Sequence, residues 1–290
     1  MDILPLEKSL KTTQKQSNWI YKYRNISSLL LKGRKIMTLI LTELSKRGVT
    51  MAADSAVTHT NTSSGFKSVC PNATIKLQKI PYLKAGISCW GMGTIESEST
   101  DEWLLGFIEK NNNLTTLQSF AEKLAGQLNE QVPKNISGEG RLGFHLAAFE
   151  MYNGERIPSF YHIHDGRSEV LETRDIEITP NRFNANHDMP PKEFTRLISK
   201  GREYITRNGD YYMYVEIFEK LKELFCKYKK MGIQIPHSQN LADRAEYLIF
   251  QIRTVSEIYR LSNLIPGIGG GIHYLTINPD GIQGEGIKYL

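Results

Sequence analysis

Apolar and polar positions along the chain fall into blocks of two different periods. From Thr38 the run TLILTEL is rich in Ile, Leu and Thr, Lys46-Arg47-Gly48 turns the chain, and VTMAADS follows as a second short apolar run. Two strands joined by a tight turn are expected. A polar stretch from His59 to Asn72 reads as a loop, after which TIKLQKI and LKAGISCW form a second strand pair around Pro81-Tyr82.

Past Gly91 and Gly93 the period becomes helical. Ser97, Ser99, Thr100, Asp101 and Glu102 precede EWLLGFIEK, and short side-chain oxygens and acids suit a helix start because they meet its free N–H groups and positive dipole end. Thr116 caps a second helix that carries Leu117, Phe120, Ala121, Leu124, Ala125 and Leu128 on one face. GFHLAAFEMYNGERIPSFYHIHDG reads as a hairpin around Asn153-Gly154, closing at Asp165-Gly166.

Residues 167–210 are broken by Pro180, Pro190, Pro191 and several Asn; a short helix is expected from Phe194 to Ile205, within an insertion spanning 167–235. Two amphipathic helices follow, one through Phe218, Leu221, Leu224, Phe225 and Tyr228 to a stop at Gly232, the other capped by Asn240 and carrying Ala245, Leu248, Ile249, Ile252 and Val255. GIHYLTINPDGI returns to a strand and a turn at Pro279-Asp280-Gly281. Strands, two helices, strands, two helices, strand is the order of an α+β chain whose sheets are covered by helices, not of a doubly wound parallel sheet.

Charge sharpens this picture by its placement. Residues 1–37 hold eight Lys and Arg against Asp2 and Glu7, so that segment carries +6 and the remainder −1 of the net +5. A nearly neutral body argues against nucleic acid as a partner. Residues 1–37 read as a basic N-terminal extension ahead of a single domain over 38–290; their one apolar cluster, Ile26 to Leu31, is too short and polar to span a membrane. Cys70, Cys89 and Cys226 form neither a CxxC pair nor a Cys/His metal pattern, which fits free thiols and a cytoplasmic setting.

The junction at Met37-Thr38 is where candidate chemistry starts. Lys32 to Ile36 can be encoded by a purine-rich stretch resembling a bacterial ribosome-binding site, so translation from Met37 is one reading of the start and Met1 with an attached arm is the other. Methionine aminopeptidases remove Met before Thr. A terminal Thr38 would carry nucleophile and base in one residue, because its α-amine, with an ordinary pKa of about 7.7–8.0, can accept the hydroxyl proton.

TLILTELSKRGVTMAADSAVT, with Thr38, Gly48, Ala52, Ala53, Asp54, Ser55 and Thr58 in register, resembles the opening of proteasome β-type subunits and their bacterial relatives, members of the N-terminal nucleophile hydrolase superfamily. KLQKI with Lys76 and AGISCWG with Gly91 continue the likeness, which weakens through 142–166 and LADRAEYLIFQIRTVSEIYRL.

That resemblance implies a four-layer αββα sandwich and a threonine peptidase. Thr38 would be the nucleophile, Lys76 the cation that lowers the proton affinity of its hydroxyl and amine, Asp54 the carboxylate that orients Lys76, and the Gly91 N–H the oxyanion donor. Val57, Thr74, Cys89 and Gly93 would line an uncharged specificity pocket. Ser256 and Glu257 lie near the place of the family's second aspartate. A homo-oligomer acting on peptides or unfolded proteins, with an ATP-dependent unfoldase as partner, is implied as well; no cofactor is.

Each residue also has a plainer reading. Thr38 is a good strand residue inside a longer chain, Asp54 and Lys76 can be a structural ion pair, and Gly91 suits any strand-to-helix turn. A non-catalytic subunit of such an assembly and an amidase acting on small amides remain alternatives. His162, His164 and Asp165 put two imidazoles on one strand face without a third ligand, so no metal is expected. Gly267 to Gly271 reads as a turn into the last strand.

Overall fold

The structure is a computed structural model that describes residues 38–60, 67–132, 142–165, 183–209, 212–233, 239–262 and 267–289. The described residues belong to one compact unit; the N-terminal extension, including Met37, lies outside the described residues.

Two five-stranded antiparallel sheets make up the centre. The first runs in the order β12-β1-β2-β13-β14, with β1 Leu39–Ser45, β2 Gly48–Asp54, β12 Tyr204–Gly209, β13 Ile272–Asn278 and β14 Gly281–Lys288. The second runs β11-β10-β9-β6-β5, with β5 Leu77–Ile80, β6 Ala85–Gly91, β9 Leu142–Tyr152, β10 Glu155–Asp165 and β11 Phe183–Met189. Short pairs β3 Val57–Thr60 with β4 Lys67–Cys70, and β7 Thr94–Ile95 with β8 Glu98–Ser99, stand apart from them. The first of these pairs occupies the stretch expected as a plain loop.

The helices start where the sequence supplies caps. Ser99 accepts from Glu102 N–H ahead of α1 Thr100–Lys110, Thr116 accepts from Ser119 N–H ahead of α2 Leu117–Gln131, and Asn240 and Asp243 form a reciprocal capping box on α5 Leu241–Leu261. α3 Pro191–Ile198 and α4 Tyr212–Lys230 complete the set among the described residues. None of these helices is long and apolar enough to cross a membrane.

Three apolar clusters show how strand alternation divides the burial. Ile40 and Leu44 of β1 join Met51, Trp90, Ala147, Phe160 and Leu275 between the sheets. Leu39 and Leu41, on the other face of the same strand, pack against Phe218, Leu248, Ile252 and Val255 of α4 and α5. Ile87, Phe144 and Ile163 of the second sheet meet Leu104, Phe107, Phe120 and Leu124 of α1 and α2. β1 and β2 are buried along their full length on both faces, which is why apolar residues fall on both faces of each strand and neither sequence shows clean alternation. At the β9–β10 turn, Asn153 and Gly154 both have positive φ, 52° and 84°, the requirement of a two-residue I′ hairpin.

The insertion differs from its sequence reading. The expected helix ends at Ile198, and Tyr204 to Gly209 instead form β12, paired antiparallel with β1 from Leu39↔Gly209 to Leu44↔Tyr204. β11 adds a strand to the other sheet on β10. Its sequence FNANHDM has five central residues at least partly exposed, so burial left no apolar pattern to read. The segment thus extends both sheets at the same edge, and its Met189 and Phe194 seal the core between them.

Candidate active site

The β1–β2 hairpin fixes the first relationship. With Ser45 opposite Gly48 and Ile40 opposite Ala53, the register brings Leu39 up to Asp54 at the far end. There the Leu39 N–H donates to Asp54 Oδ1 at 2.9 Å, a side chain replacing the next ladder carbonyl. Thr38, 6% exposed, is the residue immediately before this bond.

Lys76 arrives from the second sheet. It sits just ahead of β5, and its carbonyl accepts from Cys89 N–H at 2.8 Å, continuing the β5–β6 ladder. Its Nζ lies 3.0 and 3.1 Å from the two Asp54 oxygens and donates to the Ala56 carbonyl at 2.5 Å. Both side chains are buried. Desolvating such a pair is costly, and it persists where further hydrogen bonds satisfy each partner. Asp54 has them: besides Leu39, the N–H groups of Ala56 (3.2 Å) and Gly269 (3.3 Å) donate to Oδ2. Burial pushes the Asp54 carboxyl above the usual aspartate range, while Lys76 and the N–H groups of Leu39 and Gly269 pull the other way.

Gly269 was missed by the sequence reading, which took the glycine-rich stretch as a turn only. The segment before β13 is part of the site: Ser55 N–H donates to the Gly269 carbonyl at 3.2 Å, while Gly269 N–H reaches Asp54. Ser256 Oγ on α5 donates to the Ile268 carbonyl at 2.9 Å, so its role is to hold this segment. Asn72 accepts at Oδ1 from Ser55 Oγ, at 3.1 Å, and from Gly271 N–H. The signal in the sequence was three successive glycines ahead of a strand. Glu257 lies apart, exposed and paired with Arg260.

The remaining candidates spread out from this centre. Gly91 ends β6 opposite Leu142 with φ +101°, a conformation suited to glycine. Gly93 is exposed, and its carbonyl accepts from Thr100 N–H at 3.0 Å at the start of α1. Val57 is half-buried in β3 opposite Cys70, and half-buried Thr74 hydrogen-bonds Asp101. Cys89, though its backbone meets Lys76, packs with Ile87 and Phe107 under α1 and α2. Burial pushes its thiol up to about 12, so it is an inert core side chain.

A second polar network crosses the space between the sheets. Thr42 Oγ1 donates to His145 Nδ1 at 3.0 Å, and His145 Nε2–H donates to Asn208 Oδ1 at 2.6 Å, joining β1, β9 and β12. Burial, with the neighbouring His162, holds His145 well below the ordinary imidazole value. The rings of His162 and His164 lie tilted at 38° with centroids 4.3 Å apart, and His164 Nε2 bonds Asn186 at 3.0 Å. No group of three His, Cys, Asp or Glu side chains able to hold a metal ion occurs among the described residues.

No protein-family model and no curated protein matches the chain. Among solved structures it is similar to the Gly-1 mutant of Anbu from Hyphomicrobium sp. strain MC1, 13% identical over 86% of each chain, with a TM-score of 0.47.

Proposed function

We propose that this chain is a threonine-type peptidase of the N-terminal nucleophile class, working from Thr38 once the residues before it are removed. One observation carries the reading: the Asp54 carboxylate binds Lys76 Nζ and, through the same Oδ1, the backbone N–H of the residue next to Thr38. That bond links the buried ion pair to the start of β1. The two sheets with helices packed on the outer face of each, as the three clusters describe, support an αββα layering of the same class.

In this proposal the free Thr38 α-amine takes the Oγ1 proton as Oγ1 attacks the substrate carbonyl carbon, and Lys76 steadies the developing alkoxide. The tetrahedral oxyanion is met by the Gly91 N–H. Its collapse breaks the C–N bond, the leaving amine takes the proton, and water then hydrolyses the Thr38 ester by the same route in reverse order. Val57 and Thr74 face an uncharged substrate side chain. A cytoplasmic homo-oligomer that encloses the site, supplied with unfolded chains by an ATP-dependent partner, is the setting we propose for it.

The burial of Thr38 favours a second reading, a non-catalytic subunit of such an assembly with its N-terminal arm retained. Intact-mass measurement and hydrolysis of fluorogenic peptides decide between them. A chain beginning at Thr38 that cleaves peptides, with activity lost in Thr38→Ala and partly kept in Thr38→Ser, supports the peptidase. A native chain that still carries residues before Thr38, with no turnover, rejects it.

A further inference from the structure

On the outer face of the first sheet, away from the Asp54–Lys76 pair, β12 and the two helices α4 and α5 enclose a cavity of about 460 Å³. That is the size range of small-molecule sites. Its wall includes Tyr214 and Phe218 of α4 and Tyr247 of α5, and Arg207 of β12 enters it from below. Tyr214 is held in place by its hydroxyl, which donates to Gln251 Oε1 at 2.8 Å.

The charges in this cavity are unequally satisfied. Arg244 is spent: it forms a buried ion pair with Glu43 and a second, 3.0 Å, with Glu203. Arg207 has no such partner among the described residues. Its guanidinium lies 5.4 Å from the centre of the Tyr214 ring, and its Nε is buried without a hydrogen-bond acceptor among the described residues. Lys222 and Lys229 of α4 also line the cavity, and no ion pair engages either lysine among the described residues; of the two carboxylates in the lining, Glu203 is paired with Arg244 and only Glu219 remains beside them. A buried donor without an acceptor is costly, and a guanidinium's planar fork of N–H donors matches the geometry of an oxyanion.

We propose that this cavity binds a small organic oxyanion, a carboxylate or a phosphate monoester carried on an aromatic or branched apolar body. Arg207 takes the oxyanion, Lys222 and Lys229 add attraction at the mouth, and the rings of Tyr214, Phe218 and Tyr247 receive the body. Two apolar walls and a cationic floor reject a neutral ligand, because Arg207 would stay unpaired. The inference is independent of the peptidase reading.

Calorimetric titration of the full-length protein with 3-phenylpropionate, phenyl phosphate and the neutral 3-phenylpropanol tests it. The carboxylate and phosphate arms separate the two oxyanion sources. At least one is expected to bind at millimolar concentration or below, more weakly as salt rises, with the alcohol at least about tenfold weaker. Arg207→Met is expected to lose at least about tenfold in affinity, and Lys222→Ala less, since a charge at the mouth is partly screened. Should Arg207→Met fail to fold, Arg207→Lys retains the charge and removes the fork, and a clear loss of affinity is again expected. No binding by either oxyanion, equal binding of the alcohol, or unchanged binding in the folded Arg207 variant overturns the proposal.

Discussion

Gly209 passes so close to Thr38 that a Cβ on it would lie 1.8 Å from the Thr38 carbonyl oxygen, and its φ of +97° is one that other residues adopt only under strain. The edge strand contributed by the insertion thus has its last residue against the backbone of the candidate nucleophile. Gly209→Ala must displace one of the two strands. A destabilisation of about 1–3 kcal/mol is expected, together with a fall in kcat for peptide hydrolysis that exceeds any change in KM. Urea denaturation and steady-state kinetics read the two effects, and a variant as stable as wild type would show that β12 does not hold Thr38.

Lys76→Met removes the cation and keeps the stem. Asp54 is then left buried with only backbone donors, and breaking a buried ion pair from one side costs about 3–5 kcal/mol. Denaturation should show a loss of that order, and peptide cleavage should vanish even at temperatures where the variant is folded. Retained cleavage by the folded variant would reduce the pair to a structural role.

His145 makes stability depend on pH. Its folded value lies well below the ordinary 6.5 of the unfolded chain, so below that pH the unfolded state binds more protons than the folded one. Stability is therefore complete above about pH 6.5 and falls on acidification, by up to about 1.4 kcal/mol per pH unit for this one proton. His164 and His273, also held below 6.5 mainly by burial, add to the slope. Denaturation at neutral and mildly acid pH should show the loss, and His145→Gln should reduce the slope without removing it. An unchanged slope in the variant would assign the effect to the other histidines.

Much of the fold is legible where a local rule has a single outcome. The Asn153-Gly154 hairpin, the Thr116 and Asn240 caps and the long apolar faces of α2 and α5 follow from conformational freedom, capping and a 3.6-residue period, all properties of a few neighbouring residues. Local patterning fails at the edge strands β11 and β12, most of whose positions are exposed or only half-buried and need no apolar side chains, and at Gly269, whose part in the site comes from its N–H and carbonyl and not from a side chain.

The sequence alone determined the strand and helix succession outside the 167–210 segment and the 57–70 loop and, through its likeness to a proteasome-type opening, nominated Thr38, Asp54, Lys76 and Gly91. Only the tertiary structure decided that Lys76 Nζ and Leu39 N–H meet on one Asp54 carboxylate, that the Gly269 N–H holds that carboxylate, and that Arg207 Nε is left without an acceptor among the described residues. These facts depend on contacts between segments as much as 215 residues apart, such as Gly269 to Asp54. Local pattern carries no distance across that separation; the packing of two sheets and their flanking helices does.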